Sequence, residues 1–278
     1  MSAPLLDVQD LRVRFHLRTG TVEAVRGVSF QLGRERLGIV GESGSGKSQT
    51  GRAILGLTPP PGEVIAQKLT FDRIDLLKAS KRQLRDLRGG RMTMVMQDPK
   101  YSLNPVMTIG EQIIEAYRAH KKASRSEARD KALHMLEAVK MRDPARVFAL
   151  YPHEVSGGMG QRAMIAMMLV TDPDLLIADE PTSALDVTVQ MEVLRILDEL
   201  VAERGMGLIF ISHDLKLVSS FCNRVLVMYA GKIVEEVEAR NLRQAQHPYT
   251  QGLLRCLPTL AQNIHPLPTL NRDPAWAR

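Results

Sequence analysis

Short apolar runs bounded by turns alternate along the chain with stretches in which apolar residues recur every three or four positions. In the first third, "LLDVQDLRVRF" and "AVRGVSFQL" alternate like strands with one wet face, and together with "RLGIV" they predict a small antiparallel sheet. "RLGIV" is apolar after its first residue, the pattern of a strand buried on both faces. A second strand-like unit lies at "KLTFDRIDLL". From about residue 98 to 160 the texture turns helical. "TIGEQIIEAYRAH" and "SRSEARDKALHMLEAV" place apolar residues at helical spacing on charged backgrounds, which predicts an inserted α-helical lobe. Beyond residue 160, "QRAMIAMMLV" reads as a helix that starts after a serine and paired glycines, and "VTVQMEVLRILDELVAERG" as an amphipathic helix. "GLIFISHD" reads as a buried strand. Strands alternating with long helices predict an α/β fold with a mainly parallel sheet. One domain over 1–255 and a tail over 256–278 are expected, "HPYTQGLL" being a short helix and Pro258, Pro266, Pro268 and Pro274 marking a loose tail.

Composition narrows the choice. With 278 residues, 44% of them hydrophobic, the chain can bury a sizeable core. Its longest apolar stretch, "AMIAMMLV" at 163–170, falls far short of the roughly 20 residues that cross a bilayer. "MSAPLLDVQD" lacks the basic start and apolar core of a signal peptide, so a cytosolic protein is expected. Cys222 and Cys256 stand without CxxC spacing, which argues against a disulfide framework, a zinc ribbon or a four-thiolate cluster. A net charge of +6 would suit nucleic acid or an anionic membrane surface. The excess is scattered, as in "KKASRSEARDK", and 4% aromatics are few for stacking on bases, so no nucleic-acid partner is expected.

Three constellations carry chemistry. Gly41–Ser48, "GESGSGKS", fits G-x-x-x-x-G-K-[ST] between a buried strand and a helix, where free N–H groups and the helix dipole attract phosphate. Gly44 and Gly46 admit close backbone approach, Lys47 can reach the β- and γ-phosphates, and Ser48 offers a hydroxyl to Mg²⁺. "LLIADE" then ends an apolar strand in two carboxylates, Asp179 for the magnesium shell and Glu180 to polarise a water for attack on the γ-phosphate. "VSGGMGQR" at 155–162 makes a second anion-binding helix start. One nucleotide needs one phosphate loop, so this second one serves a nucleotide held by another copy.

On these motifs the chain resembles an ATP-binding-cassette (ABC) ATPase over roughly residues 5–255: "GESGSGKS" as Walker A, "LLIADE" as Walker B with the catalytic glutamate, "VSGGM" as the signature loop. The resemblance implies a P-loop (RecA-like) ATPase core with an antiparallel β subdomain and an inserted helical subdomain at about 98–160. It also implies ATP and Mg²⁺ as ligands. By the same resemblance Gly41, Glu42, Ser43, Gly44, Ser45, Gly46, Lys47, Ser48 and Gln49 form the nucleotide loop, and Ser156, Gly157 and Gly158 act on the facing subunit's nucleotide. Gln97 in "MQDP" resembles the glutamine that senses the γ-phosphate and touches the metal. "SALD", ending in Asp186, resembles the loop at the subunit boundary, and His213 in "ISHD" the switch histidine. Phe15 resembles the aromatic that stacks on adenine, with His16 a possible substitute and a plain core phenylalanine the other reading.

"QDPKYSLNPVMTIGEQI", "YPHEVSGGMGQRAMIAMML" and "HPYTQGLL" are further similar to the ATPase subunits of bacterial importers for di- and oligopeptides, nickel chelates and related solutes. That implies work at the cytoplasmic face of the cell membrane, with integral-membrane permease subunits, a second ATPase subunit in a homo- or heterodimer, and indirectly an external solute-binding protein. Peptide is the first choice of cargo, nickel or another small solute the second. Three departures stand out: Met159 for glutamine, Gly160 where arginine is usual, and no tail cysteine cluster for a 4Fe–4S centre. A soluble ABC-type ATPase acting on DNA or ribosomes is the alternative from another class. It calls for a long coiled-coil insertion or a second cassette, and the chain has neither. A purely regulatory subunit would lack the glutamate or the histidine.

Overall fold

The computed structural model describes residues 3–97, 102–183, 185–257, 270 and 273–277. The chain divides into two compact units, Met1–Lys78 with Phe210–Arg278, and Ala79–Ile209. The first unit opens with β1 (Leu6–Leu17) and β2 (Gly20–Leu32), a long antiparallel hairpin in which Leu6 faces Leu32 and Leu17 faces Gly20. Inward positions Leu6, Leu11, Val13, Val25 and Leu32 are wholly buried, as the alternation requires. β3 (Arg36–Val40) follows, then α1 (Lys47–Ile54), β4 (Gly62–Ile65), β5 (Lys68–Phe71) and β6 (Ile74–Asp75). β4 and β5 both pair antiparallel with β1, and β6 with β5, so "KLTF" completes the antiparallel sheet.

Within that sheet the ammonium of Lys68 lies 2.6 Å from the buried carboxylate of Asp7 and holds its pKa below the ordinary value, against the opposing pull of burial. The folded pKa is therefore the lower one. The unfolded state takes up the proton first, so the stabilisation is complete above about pH 4 and is lost as pH falls through the folded pKa. In urea melts, Asp7→Asn is expected to be less stable than the parent at pH 7, with the gap closing as the solution is made strongly acid. A gap independent of pH would show that Asp7 contributes by packing alone.

The second unit holds α2 (Lys81–Leu87), β7 (Met92–Val95), α3 (Ile109–Arg118), α4 (Arg125–Ala138), α5 (Pro144–Ala149), α6 (Gly157–Leu169), β8 (Leu175–Asp179) and α7 (Val187–Arg204). Local chemistry sets the helix starts. Thr108 and Ser124 each accept a backbone N–H three residues on, and Glu111 and Glu127 reach back to complete capping boxes. α3 and α4 pack on each other and on α6 through Ile109, Ile113, Ala132, Met135 and Leu136, all buried. β7 and β8 run parallel, Met92 opposite Leu175 and Val95 opposite Ala178. The "VTVQMEV" helix ends at Gly205, whose left-handed backbone (φ 57°) closes α7.

β9 (Gly207–Ser212) carries the chain back to the first unit, followed by α8 (Leu215–Phe221), β10 (Arg224–Tyr229), β11 (Lys232–Glu238) and α9 (Pro248–Arg255). Here one expectation is corrected. "RLGIV" does not belong to the antiparallel sheet: β3 lies parallel to β10, Leu37 opposite Arg224 and Val40 opposite Val227. A strand with both faces apolar gains more in a covered parallel sheet than in a half-wet hairpin. β11 closes that edge antiparallel to β10. Cys222 packs near Gly38, and burial pushes its thiol up to about 12, so it is an inert packing residue. Of the tail expected to be loose, Pro258, Pro266 and Pro268 lie outside the described residues, while Pro274–Ala277 form a 3₁₀ turn, with the Trp276 ring 5.9 Å from those of Tyr229 and Tyr249.

Candidate nucleotide-binding site

In the first unit β3 ends at Val40 and the glycine-rich loop Gly41–Gly46 leads into α1. Ser43 and Gly44 are exposed at its crest, whereas Ser45 and Lys47 are buried at its base. Gly46 has φ +100°, and a β-carbon there would stand 2.4 Å from the carbonyl oxygen of Ala24, so both backbone conformation and space require glycine. Gly44, at φ +81°, is left-handed too but borders open space. Lys47 Nζ donates to the carbonyls of Gly41 (2.8 Å) and Glu42 (2.9 Å), and Thr50 N–H donates to Gly46 O as α1 begins. Gln49 Oε1 is buried without a hydrogen-bond partner. The loop is also held from residues remote in sequence. Gly231 N–H donates to Ser45 O (3.0 Å), and Glu42 N–H donates to the Tyr249 hydroxyl (3.1 Å).

Phe15, near the end of β1, is half-buried with its ring edge over Gly62, where a β-carbon would lie 2.8 Å from Cε1. His16 is tied instead to Thr21 (3.1 Å) and Glu63 (3.2 Å) through its two ring nitrogens. His213 is exposed in the bend between β9 and α8, and Asp214 caps α8 by accepting from Leu217 N–H.

The second unit holds the other set. β8 is buried throughout and delivers Asp179, 6% exposed, at its C-terminal end. Glu180 follows with φ +48°, an uncommon conformation for a side chain with a β-carbon. Its carbonyl accepts from Ser183 N–H and from the Ser183 hydroxyl. Backbone strain of this kind costs about 1–3 kcal/mol and gathers at working sites. Gln97 is exposed two residues beyond β7. The second helix start lies a turn earlier than the expectation from "QRAMIAMMLV". α6 begins at Gly157, so Gly157 and Gly158 occupy its first turn and Ser156 is the cap, accepting from Met159 N–H at 3.3 Å. First-turn N–H groups have no partner inside a helix, which lets a good cap outweigh the poor helix propensity of glycine. Gly158 is also pressed on α7, where a β-carbon would meet Val189 at 2.5 Å. Gly160 is buried within α6. Asp186 caps α7, accepting from Thr188 and Val189 N–H at 3.1 Å each, while Ala184 of the same loop lies outside the described residues.

Phe15, residues 41–49 and His213 therefore belong to one unit, and Gln97, Ser156–Gly158, Asp179, Glu180 and Asp186 to the other. Sequence reading missed Gly231 and Tyr249. For Tyr249 the only signal was the "HPYT" stretch, which periodicity reads merely as a helix start.

Residues 25–183 match the ABC transporter family. Among curated relatives, the oligopeptide transport ATP-binding protein OppD of Salmonella typhimurium is 49% identical over 92% of this chain and 77% of its own length. The dipeptide transport ATP-binding protein DppD of Escherichia coli is 46% identical over 96% of this chain and 82% of its own. Among solved structures, the dimeric ATP-binding cassette MJ0796 bound to ADP and phosphate aligns with a TM-score of 0.74 at 26% identity, covering 84% of this chain and 99% of that one. The cbiO1 protein of Clostridium perfringens, part of the ABC transporter complex cbiONQ, aligns at 0.71 with 25% identity, over 87% and 92%. The fold is thus the expected P-loop ABC ATPase architecture, α/β with an antiparallel sheet and an inserted group of helices. Matched over more than half its length by the family and by near-half-identical relatives along nine-tenths of it, the chain belongs to the ABC transporter family as an ATP-binding cassette that hydrolyses ATP.

Proposed function

We propose that this cassette powers import of di- or oligopeptides, paired with a second ATPase subunit beneath two integral-membrane permease subunits at the cytoplasmic face of the cell membrane. The observation that carries the cargo is the similarity, along almost the whole chain, to proteins named for dipeptide and oligopeptide transport. Among the described residues no helix is long and apolar enough to cross a membrane. The exposed apolar surface fits two partners. Val187 (75% exposed) and Met191 (59%) follow Asp186 on the first turns of α7 and are suited to burial against a second subunit. For the permease contact we assign the surface around Gln97 and residues 98–110, where Val106 is 79% exposed and of which 98–101 lie outside the described residues.

In the mechanism, Lys47 and the loop N–H groups neutralise the β- and γ-phosphates, and Phe15 stacks on adenine. Ser156, Gly157 and Gly158 close over the γ-phosphate of the facing subunit. Glu180 takes the proton of the attacking water as its oxygen bonds to phosphorus and the bond to ADP breaks, with His213 and Gln97 contacting the γ-phosphate. Ser48, Gln97 and Asp179 are all oxygen donors, the set Mg²⁺ prefers, and are the residues that would hold it. When bound, the ion would supply positive charge to the triphosphate. Moving a dimer from 1:99 open to 99:1 closed takes about 5.5 kcal/mol of differential binding, which contacts made only on closure supply.

The test is reconstitution. The cassette, co-purified with its permeases and placed in liposomes with an external binding protein, is expected to accumulate labelled dipeptide only with ATP, and peptide should raise its ATPase rate. Stimulation by a nickel chelate but not by peptide would overturn the cargo. Salt-sensitive binding to DNA with no permease retained would overturn the class.

A further inference from the structure

One peptide unit of the phosphate loop is gripped at both ends. The carbonyl of the Gly41–Glu42 peptide accepts from Lys47 Nζ at 2.8 Å, and its N–H donates to the Tyr249 hydroxyl at 3.1 Å. Peptide units are rigid planes, so whatever turns the N–H turns the carbonyl that steadies the lysine. Tyr249 is wholly buried, and its placement is over-determined. The Glu235 carboxylate accepts the N–H groups of Gln246 and His247, His247 Nδ1 caps α9 by accepting from Tyr249 N–H, and Pro248 sets the first helical residue. The Tyr249 ring packs 4.6 Å from that of Tyr229, and Trp276 from the C-terminal turn closes the cluster, 5.9 Å from both and 6.3 Å from His247. The preceding residue, Met228, presents the carbonyl that a β-carbon at Gly41 would strike at 2.2 Å, so the same strand end backs the loop.

We propose that Tyr249 is a positioning residue for the phosphate loop, orienting the peptide that holds Lys47, and that Trp276 couples the C-terminal turn to nucleotide occupancy through it. This rests on the assignment of Gly41–Ser48 as the nucleotide loop. The chemistry is a phenol braced by rings, whose hydroxyl oxygen accepts the Glu42 N–H and so fixes the lysine's anchor. Occupancy that draws Lys47 toward phosphate shifts the shared peptide, then the phenol, then the indole tilted against it.

Trp276 is the only tryptophan in the sequence, so its emission is a direct readout. In the full chain, saturating Mg·ADP is expected to change tryptophan emission, and Tyr249→Phe, which removes one oxygen and keeps the ring, should abolish most of that response. The same variant should raise the Kd for ATP about two- to tenfold, the range of one hydrogen bond, and the KM for ATP likewise, with kcat within about twofold. Trp276→Leu leaves the phenol in place and should raise Kd by a smaller factor. Parent emission that stays constant while calorimetry shows ADP bound would overturn the coupling, and parental ATP affinity in Tyr249→Phe would overturn the positioning role. If Lys47→Ala loses ATP while Tyr249→Phe does not, this inference alone fails. If Lys47→Ala binds ATP normally, the loop assignment beneath it fails.

Discussion

Glu180→Gln is expected to bind ATP with a Kd within about twofold of the parent and to hydrolyse it at least about a hundredfold more slowly, since a positioned general base contributes about 10²–10⁴. Glutamine matches the shape of the glutamate and keeps its hydrogen-bonding reach, but it cannot take a proton from water. The left-handed backbone at Glu180, held by two hydrogen bonds from Ser183 to its carbonyl, aims the side chain irrespective of whether that chain is charged. Binding, assigned to the loop around Lys47, should therefore persist. Rapid quench with labelled ATP separates the two quantities, and the variant should accumulate as an ATP-held dimer on size exclusion. Hydrolysis within about tenfold of the parent would move the base elsewhere.

How the sequence led to this site depends on the distance over which each signal acts. Capping boxes at Thr108/Glu111 and Ser124/Glu127 are complete within four residues, so the helical region was legible as text. The glycine-rich loop was legible because Gly46 answers a local demand, a left-handed turn with no room for a β-carbon. Sheet membership was not. "RLGIV" and "KLTF" both read as strands, but which sheet each joins is decided by partners such as Arg224–Tyr229, far along the chain. Two site features were hidden for the same reason. The strain at Glu180 arises where a buried strand must turn at once, and Tyr249 meets Glu42 across 207 positions, a juxtaposition no local periodicity encodes. α6 starts one turn before "QRAMIAMMLV" because paired glycines look like a loop until their free N–H groups and the Ser156 cap are counted.

Lys47→Ala carries the largest effect on binding. Lys47 is 6% exposed, buried at the base of a loop whose carbonyls already orient its ammonium, so little side-chain entropy remains to be lost when phosphate arrives. Hydrogen bonds to a charged group are worth about 1.5–3 kcal/mol each, and an ammonium shared by two phosphates makes at least two, so the Kd for ATP should rise by about a hundredfold or more. The deletion also removes the donor to Gly41 O and Glu42 O, which makes a lower melting temperature part of the expected result. Lys47→Arg separates charge from geometry. It keeps the positive charge, yet a planar guanidinium cannot enter the space of an ammonium that sits between two adjacent carbonyls, so affinity should stay well below the parent's. Calorimetry with ATP on folded protein, confirmed by circular dichroism, decides the matter: binding unchanged in Lys47→Ala would mean that the loop does not hold the triphosphate, and parental affinity in Lys47→Arg would mean that charge alone does.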